Sequence, residues 1–162
     1  MSTVSLLPAD MSSAATILPV RPWPDSVIDA LGFPPHDPYS EFVATPRLGP
    51  SAVLAWRRLA GTLIPRPDGY TVDVVDLAQA LGLGAGTGNS APISRTLRRL
   101  VAFDLAYFVD EGTYAVRRRI PPASTSQLRR LSPELRRLHT ALLARHDAER
   151  LAVRRESIGK GA

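Results

Sequence analysis

Arg95, Arg98 and Arg99 recur at i, i+3 and i+4, which places their side chains side by side on a single helix face. Planar guanidinium forks bind phosphates and the O6/N7 edge of guanine. Asn89, Ser90 and Ser94 lie just before or among these arginines. Asn can pair with adenine, and Ser can contact either a base or a phosphate. Arg117, Arg118 and Arg119 form a second cluster. These residue types point to recognition of a polyanion rather than to bond-making. Asn89, Ser94, Arg95 and Arg98 are the candidate base readers, and Ser90, Arg99, Arg117, Arg118 and Arg119 the candidate phosphate contacts.

The residues that bond-making would need are missing or scattered. The chain of 162 residues has no cysteine, which excludes disulfides, thiolate zinc sites, iron–sulfur clusters and cysteine nucleophiles together. It has three histidines. Of these, His139 and His146 stand two helical turns apart, roughly 10 Å along the axis, too far to share a metal, and read as ordinary surface or interface histidines. The acids form no paired constellation, and no nucleophile elbow occurs. The glycine series from Gly82 to Gly88 follows a helical pattern instead of a strand, and no Gly-Lys-Ser/Thr succeeds it. The physical basis of a nucleotide loop is therefore absent. The expectation is a protein that is not an enzyme and needs neither metal nor cofactor.

Charge distribution supports the polyanion reading. Residues 1–89 carry five arginines and eight acids, a net of −3, whereas residues 90–162 carry 14 arginines, one lysine and seven acids, a net of +8. Such asymmetry is the footprint of a polyanion-binding half. The alternative is a solvated basic face on a helix-rich protein. No run of 18 apolar residues occurs to span a membrane, and no basic segment precedes an apolar stretch at the start. The expected location is the cytoplasm, in association with the nucleoid.

The elements that would position these residues can be read from periodicity. Residues 1–47 hold eight of the 15 prolines. The stretch 1–20 reads as an arm, and 21–47 as an irregular segment anchored by Trp23, Phe33, Tyr39 and Phe42, with a short helix from Asp25 to Leu31. A helix is predicted over 48–64, ended by Pro65 and Pro67. Tyr70-Thr71-Val72 reads as a short extended piece. Asp73 caps a helix with the stripe Val74, Leu77, Ala78 and Leu81, stopped by Gly82. After a glycine-rich connector, Asn89 or Ser90 caps a helix with the buried stripe Ile93, Leu97, Leu100 and Val101. Strands are predicted at 106–109 and 113–119 around an acidic turn at Asp110 and Glu111. Alternation sends Arg117 and Arg119 to one side and Arg118 to the other. A single helical turn at 128–131 precedes a long helix from Ser132 to about residue 156.

The stripes Val74/Leu77/Ala78/Leu81 and Ile93/Leu97/Leu100/Val101, followed by Leu105 to Val109 and Thr113 to Val116, resemble the winged helix-turn-helix family over residues 48–120. The resemblance implies a three-helix core that presents its second paired helix to the DNA major groove, with the hairpin as a wing. The connector 82–89 is longer than a tight helix-turn-helix turn. The fold expected is mainly α with a small β-hairpin. Three parts follow: a Pro-rich arm (1–47), the winged helix (48–122) and a C-terminal helical segment (123–162) that dimerises or packs in cis. Leu135, Leu138 and Leu142 are the candidate dimerisation residues. The partners expected are double-stranded DNA and a second copy, as in a bacterial or phage transcriptional regulator. A winged-helix module for protein assembly, and a replication or partition factor, are the alternatives.

Overall fold

A computed structural model describes residues 17–109 and 112–159 of the chain. It is mixed α/β and 56% helical, with a small four-stranded sheet and a long C-terminal helix. The sheet order is β2-β1-β4-β3. β1 is Ile17–Pro22, β2 Tyr70–Asp73, β3 Ala106–Phe108 and β4 Tyr114–Val116. The arm expected at the N-terminus therefore supplies an inner strand. β1 runs antiparallel to β2 and parallel to β4. Its alternating pattern buries Leu18 and Val20 while Ile17 and Pro19 face out.

Proline in an inner strand removes a ladder donor, and the pairing shows how β1 tolerates two. Register with β2 covers Ile17 to Val20, and register with β4 covers Val20 to Pro22. Pro19 thus has β2 alone beside it, and Pro22 has β4 alone.

The segment after β1 is also more ordered than expected. α1 (Ser26–Leu31) starts at Asp25, whose carboxylate accepts from the Val27 and Ile28 amides. α2 (Pro38–Phe42) and α3 (Thr45–Leu48) follow. Phe33 and Tyr39 are completely buried and stacked at 3.7 Å, whereas Phe42, expected as an anchor, is half exposed. Gly32 is required by a close approach: a Cβ there would lie 2.6 Å from the Ile28 carbonyl oxygen and 2.9 Å from that of Ile120. That contact accompanies a bridge between Phe33 and Ile120.

α4 (Pro50–Leu63) is the central helix, with Val53, Trp56, Leu59, Ala60 and Leu63 buried. Its Trp56 Nε1–H donates to the Arg117 carbonyl at 2.8 Å, and the Tyr70 hydroxyl donates to the Leu59 carbonyl at 3.0 Å. The helix is thereby tied to β2 and to the chain leaving β4. α5 (Val74–Ala80) is capped by Asp73, as its sequence predicts. It ends in a Schellman motif, with Leu83 N–H donating to Ala78 and Gly82 N–H to Gln79. Gly82 takes φ +69° there, a conformation that favours glycine.

α7 (Thr125–Leu128) lies three residues earlier than expected and carries a capping box between Ser124 and Gln127. α8 (Pro133–Gly159) packs its first half on α2. One core cluster runs from Leu18 to Leu131 with Leu135, Leu142 and Leu143 against it. Residues 48–122 are accordingly not a separate unit: their core and sheet include residues from the expected arm and from the C-terminal segment.

His139 and His146, expected at a surface or interface, are 7% and 5% exposed. The Tyr39 hydroxyl accepts from the Ala123 amide at 2.7 Å and shares a hydrogen bond with His139 Nδ1 at 2.8 Å. Burial, together with the nearby Arg47 guanidinium, holds the His139 pKa below its ordinary 6.5. The folded chain then binds fewer protons than the unfolded chain as the pH falls below 6.5, so stability is full above that value and declines beneath it. Thermal melts between pH 7.5 and 5.5 are expected to show a falling Tm, and His139→Gln to flatten the profile. Val20→Asp, at a position 2% exposed, is expected to cost roughly 3 kcal/mol or more in denaturant unfolding, where a mobile arm would tolerate the change.

Candidate nucleic-acid interface

The candidate surface is built on α6 (Pro92–Ala102). Ile93, Leu97 and Leu100 are buried against the core. The completely buried Tyr114 of β4 donates its hydroxyl to the Leu97 carbonyl at 2.8 Å, and burial raises the pKa of that hydroxyl well above 10. The proton therefore stays in place across the physiological range. With one face held in this way, Arg95, Arg98, Arg99 and Ala102 form the opposite, exposed face. They border a shallow groove shared with Ser51 of α4 and Leu83 of the connector, and no acidic residue lines it.

The three arginines are held differently. The Arg95 guanidinium makes no hydrogen bond or ion pair among the described residues, and its backbone amide donates to the Ala91 carbonyl. Arg98 donates through Nε to the Ser94 carbonyl at 3.3 Å and through Nη2 to the Asn89 carbonyl. Arg99 donates to the Leu48 carbonyl, and its guanidinium lies 5.4 Å from the centre of the Phe103 ring. Arg98 and Arg99 are thus braced by backbone while their remaining N–H groups face solvent. Arg95 is the one able to search for a partner.

Asn89 and Ser90 are exposed, but they lie in a turn before α6 and do not cap it. The cap is Ala91, without a side-chain hydrogen bond. Ser94, expected to read a base, is turned inward. It is 3% exposed, and its hydroxyl donates to the Thr87 carbonyl at 3.2 Å, pinning the connector to the helix. The reason is visible on a helical wheel: Ser94 stands three residues before Leu97 and seven before Val101, on the buried stripe. It is not positioned to read a base.

Arg117, Arg118 and Arg119 follow β4 rather than belonging to it, because the strand ends at Val116. All three are occupied by the segment after β1. Arg117 pairs with Asp25 at 2.9 Å, lies 3.6 Å from the centre of the Trp23 ring, and has a side chain only 11% exposed. The Ile28 amide, with Arg117 contributing, holds the Asp25 carboxyl below the usual carboxylate range. Arg118 pairs with Asp29 at 2.6 Å, and Arg119 donates to the Gly32 carbonyl at 3.0 Å. These are clips between the hairpin and α1. The acidic turn at Asp110 and Glu111 lies outside the described residues.

Leu135 and Leu142 pack partly buried against the core, and Leu138 is half-buried. The stripe expected to pair two copies is directed inward instead. A second basic groove, which the acidic balance of the first half of the chain conceals, gathers His36, Arg57, Arg58 and Arg66 at the far end of α4. Its Arg57 is 3.7 Å from Glu41. Among the described residues no group of three or more His, Asp or Glu could hold a metal, and no helix is long and apolar enough to cross a membrane.

No protein-family model, curated protein or solved structure matches the chain.

Arg117→Ala removes an ion pair and a cation–π contact together. It is expected to cost roughly 1–3 kcal/mol of stability, read as a lower midpoint in urea. Arg95→Ala, at an exposed position whose guanidinium has no partner among the described residues, is expected to leave that midpoint within about 0.5 kcal/mol.

Proposed function

We propose that this chain binds double-stranded DNA in a sequence-dependent way through the exposed face of α6, as a transcriptional regulator associated with the nucleoid does. The observation that carries the reading is the open triad Arg95, Arg98 and Arg99 on one side of an 11-residue helix whose other side is buried. A helix of this width fits the major groove. Arg95 and Arg98 are the base readers in this proposal, Arg99 a phosphate contact, and Asn89 and Ser90 flank the helix entry. No side chain caps the first turn of α6, which suits its amides to a phosphate.

The order α4, β2, α5, α6, β3, β4 supports reading the domain as a winged-helix variant. β1 is then an addition between β2 and the hairpin, outside the stretch 48–120 that carries the resemblance. In this variant the hairpin is fastened to the N-terminal segment by Arg117 to Arg119, so α6 bears most of the contact with DNA.

Selection of bound duplexes from a random pool tests the proposal. The expected result is an enriched motif bound with an affinity that falls steeply with salt. Arg95→Ala is expected to lose about 1–3 kcal/mol at a single base pair of that motif, whereas Arg99→Ala weakens all sequences alike. Recovery of no motif, with flow-through on a DNA column at moderate salt, would refute the reading.

A further inference from the structure

The inner face of α8 is occupied by His139, Leu142, Leu143 and His146, yet the helix continues well past them. From Leu151 to Gly159 every residue is exposed, including Leu151 at 57% and Ile158 at 68%. A helix end of this length without packing is marginal by itself, and large aliphatic side chains on it are costly to leave in water.

The outer face has a regular pattern. Ala141, Ala144, Ala148, Leu151, Arg155 and Ile158 alternate in steps of three and four residues, and all six are exposed. That is the a/d spacing of a coiled-coil seam, and it lies on the side of α8 opposite the His139–His146 stripe. It divides into a small half (three alanines) and a large half (Leu151, Arg155, Ile158).

We propose that a second copy of this chain packs antiparallel on this outer face. Antiparallel pairing sets the small half of one helix against the large half of the other. In the register that uses the whole seam, Ala141 faces the partner's Ile158, Ala144 the partner's Arg155, and Ala148 the partner's Leu151. Each bulky side chain then meets a methyl group, which allows close approach of the two helices. At the flanking positions Asp147, which pairs with Arg150 of its own helix at 3.4 Å, comes beside the partner's Arg154 as well, and the two-fold axis generates that contact twice. A parallel alignment would instead stack Arg155 on its own copy and leave Asp147 beside the partner's Ala152. Charge and size therefore both select the antiparallel pair. The seam spans about 27 Å at about 1.5 Å per residue. The proposal does not depend on DNA binding by α6.

Sedimentation velocity of the full chain over a range of concentrations is the test. A reversible dimer is expected. Leu151→Asp is expected to weaken it roughly tenfold or more without changing the thermal melt of the monomer, since Leu151 touches no core residue. Asp147→Arg should weaken the dimer, and Asp147→Arg combined with Arg154→Asp should restore it. Orientation can be read directly because the chain lacks cysteine. An oxidised mixture of Ala144→Cys and Arg155→Cys chains should cross-link one variant to the other, and neither to itself. A chain that stays monomeric at hundreds of micromolar, a dimer indifferent to Leu151→Asp, or cross-linking of each variant only to itself would overturn the proposal.

Discussion

The side of α6 that faces water is fixed by the side that does not. Ile93, Leu97 and Leu100 are sealed into the core, and the Tyr114 hydroxyl holds the Leu97 carbonyl at 2.8 Å. Rotating the helix about its axis would drag these groups into solvent and strand a buried phenol without its acceptor. Arg95, Arg98 and Arg99 are therefore displayed as a consequence of packing. The backbone braces on Arg98 and Arg99 reduce the side-chain freedom that binding would otherwise remove.

The insertion of β1 reorganises what the hairpin can do. Once β1 lies beside β4, the chain leaving the strand passes Trp23, and α1 follows within reach of residues 117–119. Asp25 and Asp29 then capture Arg117 and Arg118. Three consecutive arginines that look like a polyanion contact serve instead as fasteners between distant parts of the chain. The same insertion explains why one core unites residues from Leu18 to Leu131, across the break between α3 and α4 near residue 48.

Much of the fold was legible because it rests on local rules. The Asp25 and Asp73 caps, the Gly82 stop, the stripes of α4, α5 and α6 and the start of α8 at Pro133 all follow from capping and helical period. The expected sheet was a hairpin because strand β1 contains two prolines, and only its split pairing makes them tolerable. That pairing is non-local and leaves no trace in the segment itself. The inward turn of Ser94 was accessible from its spacing to Leu97 and Val101, but a serine among leucines reads as the polar edge of a stripe. The roles of Arg117 to Arg119 were hidden for a different reason: an arginine's partner is set by tertiary proximity, and Asp25 and Asp29 are some 90 residues away. The burial of the α8 histidines leaves no local signal either, because Tyr39, the hydroxyl that meets His139, is 100 positions distant.

Amide hydrogen exchange of the full chain, followed with and without a duplex taken from the selected pool, maps where DNA would sit. Exchange is expected to slow across residues 88–102, in the turn before α6 and along its exposed face, with little change in the 117–119 segment. Protection confined to the basic groove around Arg57, Arg58 and Arg66, or to α8, with residues 88–102 unchanged, would contradict that placement.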